Sequence, residues 1–282
     1  MLSLPRPSFK MDEVLLACVG GMVDTEIRDK IVCLLSDFVR AESKFEIAVV
    51  AESLHSLSSD DFKVEGFDAK ELVRHVYTEG MVGRKGGRVY YDLLIQSSPH
   101  ERCPLCGFGR VKTLDHHLPK IQFPALSVTA TNLVPACSDC NKQKLEVIPD
   151  VATKQTLHPY FDHLGDEQWL FGRVRREKSP SVEYHVRPPI SWSALRAARL
   201  RHHVEVFDLL TRFSLEANSF IPDLRTRLQD LLDGTGAGGV SEYLSDEAAT
   251  RKTTRTNGYQ GVALEALAND DWFCNGGFAE FQ

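Results

Sequence analysis

Two Cys-x-x-Cys pairs, Cys103-Pro-Leu-Cys106 and Cys137-Ser-Asp-Cys140, stand about thirty residues apart. Paired knuckles of this kind bring four thiolates into the tetrahedral sphere that Zn²⁺ prefers. Gly107 after the first pair permits the turn that wraps backbone around the ion. Four thiolates leave no open position for water or substrate, so the expected zinc is structural. Around the pairs lie Leu114-Asp115-His116-His117-Leu118-Pro119-Lys120, Asn132-Leu133-Val134-Pro135 and Asn141-Lys142-Gln143-Lys144. Carboxylate and amide oxygens suit a hard cation such as Mg²⁺ or Mn²⁺, with Asp115 and Asn141 as candidate ligands. Two protein ligands leave sites for waters and phosphate oxygens. A histidine that titrates near neutrality, set beside such a cation, suits a general base for an attacking water.

Taken in order, Cys-x-x-Cys, Asp-His-x-x-Pro, Asn-Leu-x-Pro and Cys-x-x-Cys-Asn-x-x-Lys resemble the HNH endonuclease family with a Cys₄ zinc. The resemblance runs from Cys103 to Lys144, about a sixth of the chain. It implies a ββα unit: a strand carrying Asp115 and His116, a loop, a second strand near 133–135, and a helix from Ser138. It also implies roles. His116 is the expected base, Asp115 and Asn141 the ligands of the catalytic metal, and Asn132 a residue that bonds backbone to shape the His116 loop. Lys144 is expected either to neutralise a phosphate or to be a solvated helix lysine. His117 and Lys120 are further candidates for nucleic-acid contact. The spacing makes His117 the variable residue, although a register shifted by one would give it the role of His116. His158, set among proline and aromatics, is expected to pack, with reach toward the site as the alternative.

Several elements must position these groups. From Met11 to about Gly80 apolar residues recur at helical spacing, with Asp24 and Asp68 as candidate helix caps. The run from Met81 to Tyr91 reads as a hairpin with a basic turn at Arg84, Lys85 and Arg88. Helices followed by such a hairpin also suit a winged-helix DNA reader; a bracing or docking subdomain is the plainer reading. Trp169–Val174 and Val182–Val186 read as paired strands joined through Lys178-Ser179-Pro180-Ser181, and helices are expected from about Ser193 to Leu232. Gly234 to Gly239 reads as a flexible linker to an acidic tail. The expected class is α+β: a ββα-metal core stapled by a Cys₄ zinc, flanked by mostly helical subdomains. The divisions are 1–98, 99–165, 166–233 and 234–282.

Net charge is −6, which argues against a surface coated in nucleic-acid-binding charge. The charge is uneven: residues 171–230 hold eleven Lys/Arg against seven Asp/Glu, so Arg173, Arg175, Arg176, Arg196, Arg199 and Arg201 are candidates for backbone contact or for solvated surface. No apolar run reaches the length of a membrane helix and no signal-peptide pattern opens the chain, so a cytoplasmic protein is expected. Cys18 and Cys33 fall in helical apolar patterns and read as inert thiols. The leading functional expectation is an endonuclease cutting DNA. The resemblance extends to stand-alone bacterial HNH proteins, which implies an anti-phage effector gated by a partner such as an ATPase. The alternative is a catalytically inactive, zinc-stabilised module that binds nucleic acid or protein.

Overall fold

A computed structural model describes residues 1–165, 167–176 and 180–281. The chain divides into two compact units, Met1–His163 and Leu164–Gln282. Small two-stranded sheets stand among many helices, an α+β composition.

The first unit opens with helices α1 (Met11–Val19), α2 (Thr25–Cys33) and α3 (Leu35–Val50). Asp24 caps α2 by accepting from the Ile27 amide at 3.0 Å. Helix α4 (Ala69–Val73), capped by Asp68 on the Lys70 and Glu71 amides, runs on into a π-helical stretch, Arg74–Gly83. Helix α5 (Lys85–Gln96) follows at once. The hairpin expected between Met81 and Tyr91 is therefore absent, and the winged-helix alternative goes with it. The cause is how the glycines are used. A Cβ on Gly87 would collide with the Gly80 carbonyl oxygen, and one on Gly86 would lie 2.7 Å from that of Ala17. They serve close helix approach rather than a turn. Arg84 is drawn inward as well, donating to the carbonyls of His75 and Cys18 and to Glu79.

Strands β1 (Thr113–His116) and β2 (Leu133–Ala136) pair antiparallel, with Asp115 opposite Val134 and His116 opposite Leu133. Helix α6 (Ser138–Lys144) begins two residues after β2. The segment 117–132 between the strands is folded inward. Phe123, Leu126 and Val128 are fully buried in it and join Phe38, Phe45 and Phe62 in the core of this unit.

The second unit is built on the hairpin β3 (Leu170–Arg175) and β4 (Ser181–Val186), paired from Leu170↔Val186 to Arg175↔Ser181. Lys178 and Ser179 of the expected turn lie outside the described residues. Helices α7 (Ala194–Val206), α8 (Leu209–Phe220), α9 (Arg225–Thr254), α10 (Tyr259–Ala268) and α11 (Asp271–Cys274) follow. The expected glycine linker is instead a joint within α9: only Gly236 leaves helical geometry, at φ 73°. The acidic tail is helical too. Its apolar positions (Val240, Leu244, Val262, Leu264, Phe273, Phe278) are buried, and that burial outweighs the low helix propensity of the glycine run.

Candidate functional site

The four cysteines of the two knuckles converge. All are buried, and their sulfurs lie within 4.8 Å of one another. Tetrahedral zinc with bonds near 2.3 Å needs sulfurs roughly 3.8 Å apart, so the cluster is close to the spacing such an ion imposes. Local geometry is built for sulfur ligands. The Gly109 amide points at Cys106 Sγ at 3.3 Å, and the Cys140 amide at Cys137 Sγ at 3.5 Å. Gly107 sits at φ 83°, which lets its amide reach the Cys103 carbonyl at 2.7 Å. A Cβ on Gly109 would press on Cys137 Sγ at 2.9 Å and Cys106 Sγ at 3.3 Å. The sulfurs share protons among themselves: hydrogen bonds from Cys103 pull Cys106 down to about 6 and those from Cys103, Cys106 and Cys140 pull Cys137 strongly down, while Cys103 and Cys140 are pushed up. Thiolate is the ligating form. The donor set fits a structural metal such as zinc.

Next to the cluster, β1 carries Asp115 and His116 into the wall of a cavity of about 510 Å³. Asn141, from the first turns of α6, lines the same cavity with Tyr77, Lys120 and Lys142. His116 Nε2 lies 2.9 Å from the Ser127 carbonyl oxygen. A carbonyl can only accept, so Nε2 carries the proton and Nδ1 keeps the lone pair. Burial, with Lys120 and Lys144 nearby, pushes the imidazole down to about 3 against the opposing bond to Ser127, so it is neutral at physiological pH.

Asp115 is 4% exposed. Burial raises its carboxyl above the usual range, and the charges of Lys144 and Lys120 oppose that rise. Lys144 is not the solvated helix lysine the sequence allowed. It is 6% exposed, with Nζ 3.0 Å from Asp115 Oδ2 and 2.6 Å from the His116 carbonyl oxygen. Asp115 Oδ2 is buried and accepts no aligned hydrogen bond among the described residues, although the ammonium sits beside it. Asp115 and Asn141 line one cavity wall, and carboxylate and amide oxygens are the donor types a hard cation takes.

Asn132 is fully buried beneath the loop. Its Oδ1 accepts from the Leu118 amide, and its Nδ2 donates to the carbonyls of Leu118 and Leu126. Its own carbonyl accepts from the His117 amide at 2.8 Å. The residue therefore ties the segment after His116 to the segment before β2. His117 is buried, with its ring 4.2 Å from that of His158, and is absent from the cavity wall. His158 is fully buried among Phe45, Tyr160 and Phe161, the expected packing role.

Several of the basic residues outside the motif engage other partners. Arg88 pairs with Asp92, Arg173 with Glu183 and Arg176 with Asp270. Arg196 lies over the Trp192 ring, and Arg199 is buried. Among the site neighbours that escaped the sequence is Tyr77, whose ring meets that of His116 edge-on at 4.5 Å. It comes from the π-helical stretch, and nothing local to its position marks it as a cavity residue.

The chain is 29% identical over 238 residues to protein ea31 of Escherichia phage lambda, with 80% of each chain covered. No protein-family model matches the chain, and no solved structure does. No helix among the described residues is long and apolar enough to cross a membrane.

Proposed function

We propose that this protein is a metal-dependent endonuclease of the HNH type that hydrolyses phosphodiester bonds of DNA, with zinc on its four cysteines. The observation that carries the reading is one wall of one cavity. It holds Asp115, an oriented neutral His116 and Asn141, directly beside a buried four-thiolate cluster.

His116 Nδ1 takes a proton from the attacking water, its ring held by the Ser127 carbonyl and by the edge contact with Tyr77. Burial is the main cause that holds the imidazole pKa low, and a phosphate drawn to Lys120 and Lys142 on the cavity wall offsets the smaller contribution of the Lys120 charge. Asn132 keeps the loop, and with it Ser127, in place. Held by Asp115 and Asn141, Mg²⁺ or Mn²⁺ would supply charge stabilisation to the phosphate and its leaving oxygen. The expected products carry 5′-phosphate and 3′-hydroxyl ends.

An anti-phage role, gated by a protein partner such as an ATPase, extends the same reading. Its support is the family resemblance of the motif. Phage lambda encodes a relative, so similar chains occur on phage genomes.

End-labelled DNA and RNA duplexes incubated with the protein and Mg²⁺ or Mn²⁺ test the chemistry. Fragments of the DNA that a ligase can rejoin support the reading. Fragments ending in 3′-phosphate contradict it.

A further inference from the structure

We infer that the Lys144 ammonium is a built-in competitor for the Asp115 carboxylate, so that a divalent cation loads onto Asp115 only by displacing it. The inference rests on the phosphodiesterase reading of the site and concerns its regulation.

Lys144 is the last residue of α6, and its side chain returns along the helix into the interior. Nζ lies 3.0 Å from Asp115 Oδ2, 3.4 Å from Oδ1 and 2.6 Å from the His116 carbonyl oxygen. Both charged side chains are 6% exposed. A buried ammonium is tolerated only when paired, and the Asp115 carboxylate and the His116 carbonyl supply that pairing. Because Nζ lies against both carboxylate oxygens, a cation that did not push it aside would meet its positive charge at contact distance. Water dilutes that repulsion little at such burial.

A phosphodiester drawn to Lys120 and Lys142 brings negative charge to the cavity that Asp115 lines, which favours a cation there over the bare carboxylate–ammonium pair. Cation and nucleic acid then load together. Either one alone meets a site already neutralised from within.

The test uses full-length, zinc-loaded protein and Mn²⁺ alone, followed by the electron paramagnetic resonance signal of the free ion. Lys144→Met removes the charge at similar volume and is expected to bind Mn²⁺ roughly tenfold tighter than wild type or better. Lys144→Arg keeps the charge and stays near wild type. Adding Asp115→Asn to Lys144→Met abolishes the gain. Zinc content and circular dichroism establish that each variant is folded. Equal or weaker binding by folded Lys144→Met, with wild-type binding still dependent on Asp115, overturns the inference and leaves the phosphodiesterase reading standing. Absence of Asp115-dependent binding in every variant overturns both. A second measurement needs no variant. A cleavage-resistant phosphorothioate duplex added to wild type is expected to tighten Mn²⁺ binding several-fold, and unchanged binding overturns the coupling.

Discussion

The side chain of Asn132 is bonded to both backbone groups of Leu118: its Oδ1 accepts from the amide at 2.8 Å and its Nδ2 donates to the carbonyl at 3.1 Å. Two residues that bracket the loop between β1 and β2 are thereby held as though paired in a ladder. The loop carries Ser127, whose carbonyl orients His116. Asn132 thus reaches the candidate base through the backbone.

Asn132→Ala leaves the Leu118 amide and the carbonyls of Leu118 and Leu126 buried without this partner. The expected loss is about 3 kcal/mol, read from the shift of a denaturant midpoint at unchanged slope. Asn132→Asp keeps the acceptor and loses both donor contacts, so it is expected to be destabilised as well. A variant as stable as wild type would remove the clamp from the account.

Gly109→Ala tests the four-cysteine cluster without deleting a ligand. The added methyl meets Cys137 Cβ at 3.0 Å as well as two sulfurs. Wild type is expected to release about one zinc per chain on denaturation. Gly109→Ala is expected to hold that zinc more weakly against a chelator, and Cys137→Ser more weakly still. Equal retention in all three proteins would contradict a metal role for the cluster.

Glu42 supplies a pH prediction remote from the site. Burial, with Glu46 and Asp12 nearby and a bond from the Met11 amide opposing, raises its carboxyl from 4.5 to about 7. The folded value exceeds the unfolded one, so the protonated form is favoured in the fold. Its contribution to stability is full below pH 4.5 and is lost as pH rises to about 7. Glu42→Gln is expected to remove that decline and to raise stability at pH 8 by roughly 1 kcal/mol, allowing for solvent screening. A variant less stable than wild type at pH 8 would contradict it.

Gly87→Ala tests the helix that replaced the expected hairpin. Its Cβ would fall 2.7 Å from Met81 Cα as well as against the Gly80 carbonyl. Backbone must move, at a cost of about 2 kcal/mol or more. In a surface hairpin turn the same change would be far milder, so thermal unfolding of this variant separates the two arrangements.

The site was legible where chemistry restricts residue type and spacing. Four cysteines in two knuckles had to converge, and they do; Asp115, His116 and Asn141, named by the same logic, line one cavity. The Asp24 cap and the β3–β4 pairing were also readable, because a cap needs an oxygen at one position and strands need β-branched and aromatic runs. Glycine misled twice. Gly86 and Gly87 read as a turn but admit neighbouring helices, and Gly234–Gly239 read as a linker but lies within α9, where buried Val240 and Leu244 hold the chain. Neither use differs locally from its alternative, since only the tertiary neighbour decides. Lys144 is a similar case. A lysine at a helix end is usually solvated, and its inward turn depends on Asp115, brought near by the folding of β1 against α6.

The most direct test of the central claim is conversion of supercoiled plasmid to open circle in Mg²⁺ or Mn²⁺. Wild type, His116→Ala and an EDTA control are compared at equal zinc content. The account predicts metal-dependent nicking by wild type that falls at least about a hundredfold in His116→Ala, because the oriented base is gone. Nicking by His116→Ala at the wild-type rate, with zinc intact, would contradict it.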